Sequence, residues 1–302
     1  MAHNKLSQTA SFIAVKFYGL TLNPQIGKNF DSSIKDFYEK VVQFLPKHLS
    51  WYHNALRSPF WRKLFIASEE LLLPGDLMHI ICRKYYVTQC VDEAIKNGCE
   101  QIVIIGAGVD HLGVYSASKG LEAFEIETPF MVQTKNQFLK VNDLSSSNLH
   151  LCPLDVTKKR MSQVLAEHPS FDSSKQTAFV AEGFFDYLTE TDARNVCSEI
   201  ATLCPSNTLI TTFFSLDELN AFHRFSFKSG VRLVGESVKL SLNKKSFLSL
   251  LDDFEYKTEK VLSYQEMKSD LVESSGLELP VLKGFYVIKA SVKKDRKHSP
   301  CS

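Results

Sequence analysis

Apolar positions follow one rhythm before Gly98 and another after it. Ahead of that glycine they recur at three- and four-residue steps. Ile34, Phe37, Tyr38, Val41, Val42 and Leu45 line one face of a helix capped by Asp31 or Ser32. Val87, Cys90, Val91, Ala94 and Ile95 line another, and Gly98 stands just past its end, where a left-handed backbone favours glycine. Between the two, Trp51 to Leu73 is apolar and aromatic but less regular, and Pro74-Gly75 ends it. After Gly98, short apolar runs at 102–105, 123–126, 149–152, 178–181 and 208–214 alternate with helical stretches. The clearest of these carries Ala193, Val196, Cys197, Ile200 and Ala201 on one face. Runs that are continuously apolar mark strands buried on both faces, hence a parallel sheet covered by helices on each side. Residues 244–251 read as a helix. The stretches 254–262 and 285–292 read as two strands separated by a loop, a hairpin joining the sheet at its end. The expected fold is α/β: a mostly parallel seven-stranded sheet, a helical N-terminal cap and a C-terminal antiparallel hairpin.

With 302 residues and no repeat or linker, the chain reads as one domain. Residues 1–98 are the cap, 99–292 the core with a lid insertion at about 215–243, and 293–302 a flexible tail. The 35 basic and 34 acidic side chains leave a net charge of +1, which gives no electrostatic footprint for nucleic acid. The basic cluster Lys293-Lys294-Asp295-Arg296-Lys297 reads as a solvated end. Seven cysteines without a Cys-x-x-Cys pair suggest neither a zinc site nor a disulfide framework, and several fall in apolar stretches as small core residues. No apolar run reaches the ~18 residues that span a bilayer. The stretch from Phe12 to Leu22 is broken by Lys16 and has no small-residue cleavage site, so no signal peptide is expected. A cytoplasmic protein follows as the expectation.

The chemistry gathers at the first strands. Gly106-Ala107-Gly108 follows the run 102–105 directly, where glycines allow a tight turn and a close backbone approach to a ligand. A dinucleotide fingerprint needs a third glycine at position 111, which is His111. The second strand ends in Glu125-Ile126-Glu127, and Glu127, 19 residues after Gly108, can take both hydroxyls of a ribose. A turn that lacks the pyrophosphate glycine but keeps the ribose acid favours a nucleoside without a diphosphate, and S-adenosyl-L-methionine is the obvious cofactor of that kind.

Five blocks in register then resemble the leucine carboxyl methyltransferase family and its bacterial O-methyltransferase relatives. They are Arg83; Gly106-Ala107-Gly108 with Asp110; Glu125-Ile126-Glu127 with Pro129 and Lys135; Asp155-Val156; and Glu182-Gly183 with Tyr187-Leu188. They run from about Arg83 to Glu190, with a looser likeness from Thr9 onward. The resemblance implies a Rossmann-like methyltransferase fold and S-adenosylmethionine as methyl donor. Arg83 would pair with the cofactor's carboxylate, which suits a guanidinium; Gly106, Ala107 and Gly108 would face its methionine part. Glu127 would bind the ribose, and Asp155-Val156 the adenine. Glu182 would stand near the amino group and sulfonium. Without the family, Arg83 reads as a surface arginine opening a helix, Asp155 as a helix cap and Glu182 as the cap of the following helix. The chain also departs from the pattern. His111-Leu112 replace a usual threonine and arginine, Ser11 stands where many members have a basic residue, and Glu127 replaces an aspartate.

Methyl transfer from a sulfonium is an in-line displacement in which proximity and alignment carry much of the catalysis. A carboxylate acceptor is ionised at neutral pH and needs no base. A hydroxyl acceptor would need one, with His111, Asp186 or Tyr187 as candidates. The acceptor, a small molecule or a peptide C-terminus, would lie under the cap and the insertion, where Phe222, Phe225 and Phe227 with Arg224 and Arg232 offer an apolar surface with a cationic anchor. The rival readings are a non-catalytic module that keeps the cofactor cleft and a nicotinamide-dependent oxidoreductase, the latter disfavoured by His111.

Overall fold

The structure, a computed structural model, describes residues 8–46, 55–233, 235–240 and 242–292. Trp51, the basic tail and Cys301 lie outside these residues. Seven strands form one sheet in the order β3-β2-β1-β4-β5-β7-β6: β1 Gln101–Ile105, β2 Glu122–Glu127, β3 Leu149–Pro153, β4 Thr177–Ala181, β5 Asn207–Phe214, β6 Tyr256–Ser263 and β7 Phe285–Val292. The first five pair in parallel, as their uninterrupted apolar runs require; β7 is antiparallel to both β5 and β6. The strand order reverses between β1 and β4, and there an open sheet places its ligand crevice.

Alternate strand residues feed two cores. Ile102, Ile104, Val180 and Ile210 pack beneath the cap, among helices α1 Gln8–Thr21, α3 Ser32–Phe44 and α5 Asp76–Lys96. Two further helices share that face, α6 Leu112–Ser118 and α7 Pro129–Val141. Val103, Ile105, Phe179 and Phe213 pack on the opposite face, against α8 Met161–Ala166, α9 Glu190–Leu203 and α11 Lys244–Asp253. The short α2 Pro24–Gly27 links α1 to α3, and α4 Pro59–Leu72 lies against α5. The insertion carries α10 Ala221–Leu233.

One expectation needs correction. The connection between β6 and β7 is not a bare loop: it holds a helical turn, α12 Tyr264–Met267, that runs into a π-helix at Lys268–Glu273 and buries Met267, Leu271 and Val272. Within the less regular segment before Pro74, residues 59–72 form the helix α4, and no residue of that helix is buried.

Asp186, in a 3-10 turn after β4, fixes where the insertion returns to the body. Its carbonyl accepts the Lys239 and Leu240 N–H groups at 2.9 and 3.2 Å, and its Oδ1 accepts Phe214 N–H at 3.2 Å. Burial pushes its carboxyl pKa up to about 7, against smaller opposing effects of the Phe214 N–H and Arg83. The folded chain therefore holds this proton more tightly than the unfolded one. The resulting stabilisation is complete at acid pH and is lost as pH rises through about 7. An Asp186→Asn variant keeps an oxygen for Phe214 and buries no charge. From about pH 6 to about pH 8 the wild type should lose about 1–2 kcal/mol relative to that variant in urea unfolding. Parallel pH dependence in the two proteins would show that the carboxyl is not buried as described.

Candidate functional site

A cleft of about 200 Å³ opens where β1 and β4 end, roofed by α1, α3 and α5. Its floor is the glycine turn. Gly106 and Gly108 both have left-handed backbones, with φ of 68° and 51°. A side chain at Gly106 would also strike the Phe184 ring, since its Cβ would stand 2.7 Å from that ring. Both glycines are thus required by conformation, and Gly106 by contact as well.

Around the floor stand Arg83 and Lys84 from α5, Asp110 from the glycine turn, Glu127 from the tip of β2 and Glu182 from just past β4. Arg83 sits in the middle of α5 with its side chain 12% exposed, so it neither opens a helix nor lies on the surface. Its Nε donates to Glu182 Oε1 at 2.6 Å, and Lys84 Nζ donates to the same oxygen at 2.6 Å. Lys84 also donates to Asp110 Oδ2, which accepts the Tyr38 hydroxyl too, at 3.1 Å. The second Asp110 oxygen takes the Leu112 N–H at 2.9 Å and so starts α6. Burial would raise the Asp110 pKa, but Lys84 and His111 beside it hold the carboxyl well below the usual range. Glu182 does not cap α9, a role taken by the Thr189 hydroxyl. Its Oε2 is buried and has no partner among the described residues.

Glu127 is held at the strand tip by the Thr128 N–H at 2.7 Å, and burial raises its carboxyl pKa. A second cavity begins at the next residue, Thr128. It measures about 450 Å³ and lies between the β2 and β3 tips, lined by Thr128, Pro129 and Asp155. The Leu154 N–H joins the two strand ends through the Glu127 carbonyl at 2.7 Å. Asp155 is near this space, although its carboxylate takes the Thr157 N–H and hydroxyl at 3.1 and 2.7 Å and pairs with Lys158 at 2.9 Å. Val156 packs against the core behind it. Arg83, Gly106, Ala107, Gly108, Asp110, Glu127 and Glu182 therefore share one cleft, and Asp155 borders the next.

The base candidates fare differently. His111 is 2% exposed, with Nδ1 3.3 Å from the Tyr38 hydroxyl and Nε2 3.2 Å from the Thr88 hydroxyl. It is a packed core residue. Asp186 is turned toward Phe214. Tyr187 lines the cleft, but burial, with Glu236 and Asp186 close by, raises its phenol pKa. From the insertion, Glu236 reaches the cleft. Phe227 stacks on Phe214 with centroids 4.6 Å apart, Phe222 and Phe225 are exposed, and Arg224 turns its Nη2 to the carbonyls of Asp217 and Leu219. The expected cationic anchor on this insertion is not present at the cleft among the described residues.

Lys84 and Tyr38 were not singled out by their sequence. The available signal for Lys84 was its place on the buried stripe of α5, three residues before Val87 and seven before Val91. A lysine in a core position is there for a charged partner. Lys135, quoted in the family pattern, has a structural task. Buried with Glu125 at 2.6 Å, it donates to the Asp110 carbonyl at 2.8 Å and so anchors the glycine turn from α7. Gly113 makes room for this pair, since a Cβ there would stand 2.0 Å from Glu125 Oε1.

Comparison with known proteins extends this geometry. A putative methyltransferase from Thermobifida fusca YX superimposes with a TM-score of 0.53 at 16% identity, over 77% of this chain and 88% of that one. A DUF574 family protein from Streptomyces avermitilis MA-4680 gives a TM-score of 0.55 at 11% identity, over 78% of this chain and 91% of that one. At such identities the likeness establishes a shared fold. A comparison with curated proteins gives no match. The family model described as leucine carboxyl methyltransferase matches residues 35–201, the span that holds every one of the cleft residues from Tyr38 to Glu182. The chain belongs to the leucine carboxyl methyltransferase family of S-adenosylmethionine-dependent enzymes.

Proposed function

We propose that this methyltransferase transfers its methyl group to a carboxylate oxygen of a small molecule or a peptide C-terminus. One observation carries the reading: the three residues that the sequence offers as base for a hydroxyl acceptor are otherwise engaged. His111 is enclosed by Tyr38 and Thr88, Asp186 faces Phe214, and the Tyr187 phenol has a raised pKa. An acceptor that arrives already ionised needs none of them. Membership in the family supports the same chemistry.

The cleft fits S-adenosylmethionine on two grounds. Its acids outnumber its bases, with Arg83 and Lys84 against Asp110, Glu127 and Glu182, and Glu236 at the rim. That balance suits a ligand with one net positive charge. The bare, buried Oε2 of Glu182 is an acceptor in need of a donor, as an ammonium would supply. In this reading Arg83 gives its Nε to Glu182 and keeps its two terminal nitrogens for the cofactor's carboxylate. Glu127 takes the ribose hydroxyls, and the second cavity, beside Asp155, receives the adenine. Bound S-adenosylmethionine supplies an electrophilic methyl group on a sulfonium. The chain's part is to hold donor and acceptor in line, to keep water out with the cap residues Ile13 and Ala14, and to neutralise the methionine end with fixed charges.

Two measurements test this. Arg83→Ala and Glu127→Gln should each weaken S-adenosylmethionine binding by about 10- to 100-fold in calorimetry, the loss of one or two charged hydrogen bonds. Glu127→Gln should leave the melting temperature nearly unchanged, because burial works against the charge that the amide removes. Affinities within a factor of about two of wild type in both variants would place the cofactor elsewhere. For the acceptor, turnover should stay flat from about pH 6 to about pH 9, and mild alkali should release the transferred methyl as methanol from its ester. A rate climbing about tenfold per pH unit, with an alkali-stable product, would mean a hydroxyl acceptor instead.

A further inference from the structure

Lys84 Nζ, the charged end of a buried helix residue, joins two carboxylates that stand past the tips of different strands. It donates to Asp110 Oδ2 in the turn after β1 and, at 2.6 Å, to Glu182 Oε1 just past β4. The Lys84 and Glu182 side chains are 5% and 6% exposed. Neutralising buried acids would be reason enough for a lysine here. The distribution of the bonds asks for more. Arg83 Nε donates to the same Glu182 oxygen at 2.6 Å, so two cations load Oε1 while Oε2, also buried, has no partner among the described residues. Both carboxylate oxygens can accept, and neutralisation alone does not require that one be left bare.

Of the two cations, Arg83 is the weaker anchor, because in the proposed cleft it also serves the cofactor's carboxylate and so stands between two anions. Lys84 has a fixed hold on its other side. Asp110 takes the Tyr38 hydroxyl at 3.1 Å and the Leu112 N–H at 2.9 Å, and Lys135 holds its carbonyl at 2.8 Å. The glycine turn thus fixes Asp110, Asp110 fixes Lys84, and Lys84 fixes which oxygen Glu182 leaves open. An untethered glutamate side chain samples several rotamers and must be ordered when its ligand binds. We propose that Lys84 is a positioning residue for the methyl donor: it touches no part of the cofactor and keeps Glu182 turned so that Oε2 meets the cofactor's ammonium. This role depends on Oε2 receiving that ammonium, as proposed for the cleft.

Calorimetry on the full chain with S-adenosylmethionine, S-adenosylhomocysteine and methylthioadenosine tests this. The third ligand keeps the adenosine and the sulfur but lacks the ammonium and the carboxylate. Lys84→Met removes the bridge and keeps most of the side chain's bulk. It should weaken the first two ligands about tenfold and leave the third within a factor of about two. Coulomb attraction alone has the opposite sign, since taking a cation from beside an ammonium tightens its binding. Tighter S-adenosylmethionine in the variant therefore overturns the proposal. Equal weakening of all three ligands also overturns it and leaves Lys84 a structural neutraliser of buried acids. Should Lys84→Met fail to fold, with two buried carboxylates short of a cation, Lys84→Met/Asp110→Asn removes one charge of each sign and carries the same comparison. Glu182→Gln separates this role from the cleft assignment, because it too should lower the preference for S-adenosylmethionine over methylthioadenosine. If it does so and the Lys84 variants do not, Glu182 binds the ammonium and the role of Lys84 falls. If the preference survives Glu182→Gln, the assignment of Oε2 falls and this role falls with it.

Discussion

The carboxylate of Asp110 is where the parts of this structure are tied together. It lies in the turn after β1, and three elements reach it: Lys84 from α5, Tyr38 from α3 and the first N–H of α6; a fourth, α7, holds the backbone carbonyl of the same residue through Lys135. A buried charge of this kind is tolerable only when its bonds are complete, and here both oxygens are filled. Taking one partner from a buried ion pair typically costs roughly 3–5 kcal/mol, against a total stability of about 5–15 kcal/mol for a typical domain. The helical cap is therefore joined to the glycine turn by charge as well as by apolar packing. The cleft exists because the two are held at a fixed spacing.

Lys84 extends this tie to Glu182 and so couples the ends of β1 and β4, the two strands between which the sheet order reverses. With Arg83 on the same oxygen, Glu182 has one side saturated and the other bare. Three glycines make the crowding possible. Gly106 lets the Phe184 ring lie against the turn, and Gly113 leaves room for the Glu125–Lys135 pair. Gly183 keeps its backbone clear of Arg83, whose Nη1 would stand 3.1 Å from a Cβ there. The site's charges are close together because the backbone between them carries no side chains.

Much of this was legible in the chain. Continuous apolar runs identify buried parallel strands because such strands are covered on both faces, and five of them fall within a residue or two of the strands found. Glycines and acids at strand ends are legible for a similar reason, since few other residues suit a bend that must also meet a ligand. Irregular segments were less so. The π-helix after Met267 follows no simple period, and the stretch before Pro74 lacks a buried face to set one. Lys84 and Tyr38 escaped because their importance lies in contacts across 26 and 72 residues of sequence, which helical periodicity does not encode. Arg83 was placed by family resemblance; its own neighbours in sequence suggested a surface position.

The departures from the family pattern are also settled by packing. His111 replaces a residue expected to be threonine, yet its ring is enclosed by Phe37, Tyr38 and Tyr115 and bonded at both nitrogens, so the substitution is built into the cap. Ser11 brings no cation to the wall formed by α1, where Ala10, Ile13 and Ala14 line the cleft. The two cations that line the cleft, Arg83 and Lys84, are neighbours on α5. A cation on that helix, buried and fixed by two carboxylates, is more rigidly placed than one on a terminal helix. It loses less conformational freedom when a ligand arrives, because the fold has already ordered it. With Ser11 neutral and His111 packed into the cap, the cations that line the cleft stand side by side on α5, and the acids facing them stand at the strand ends, so one rigid helix carries the positive side of the site.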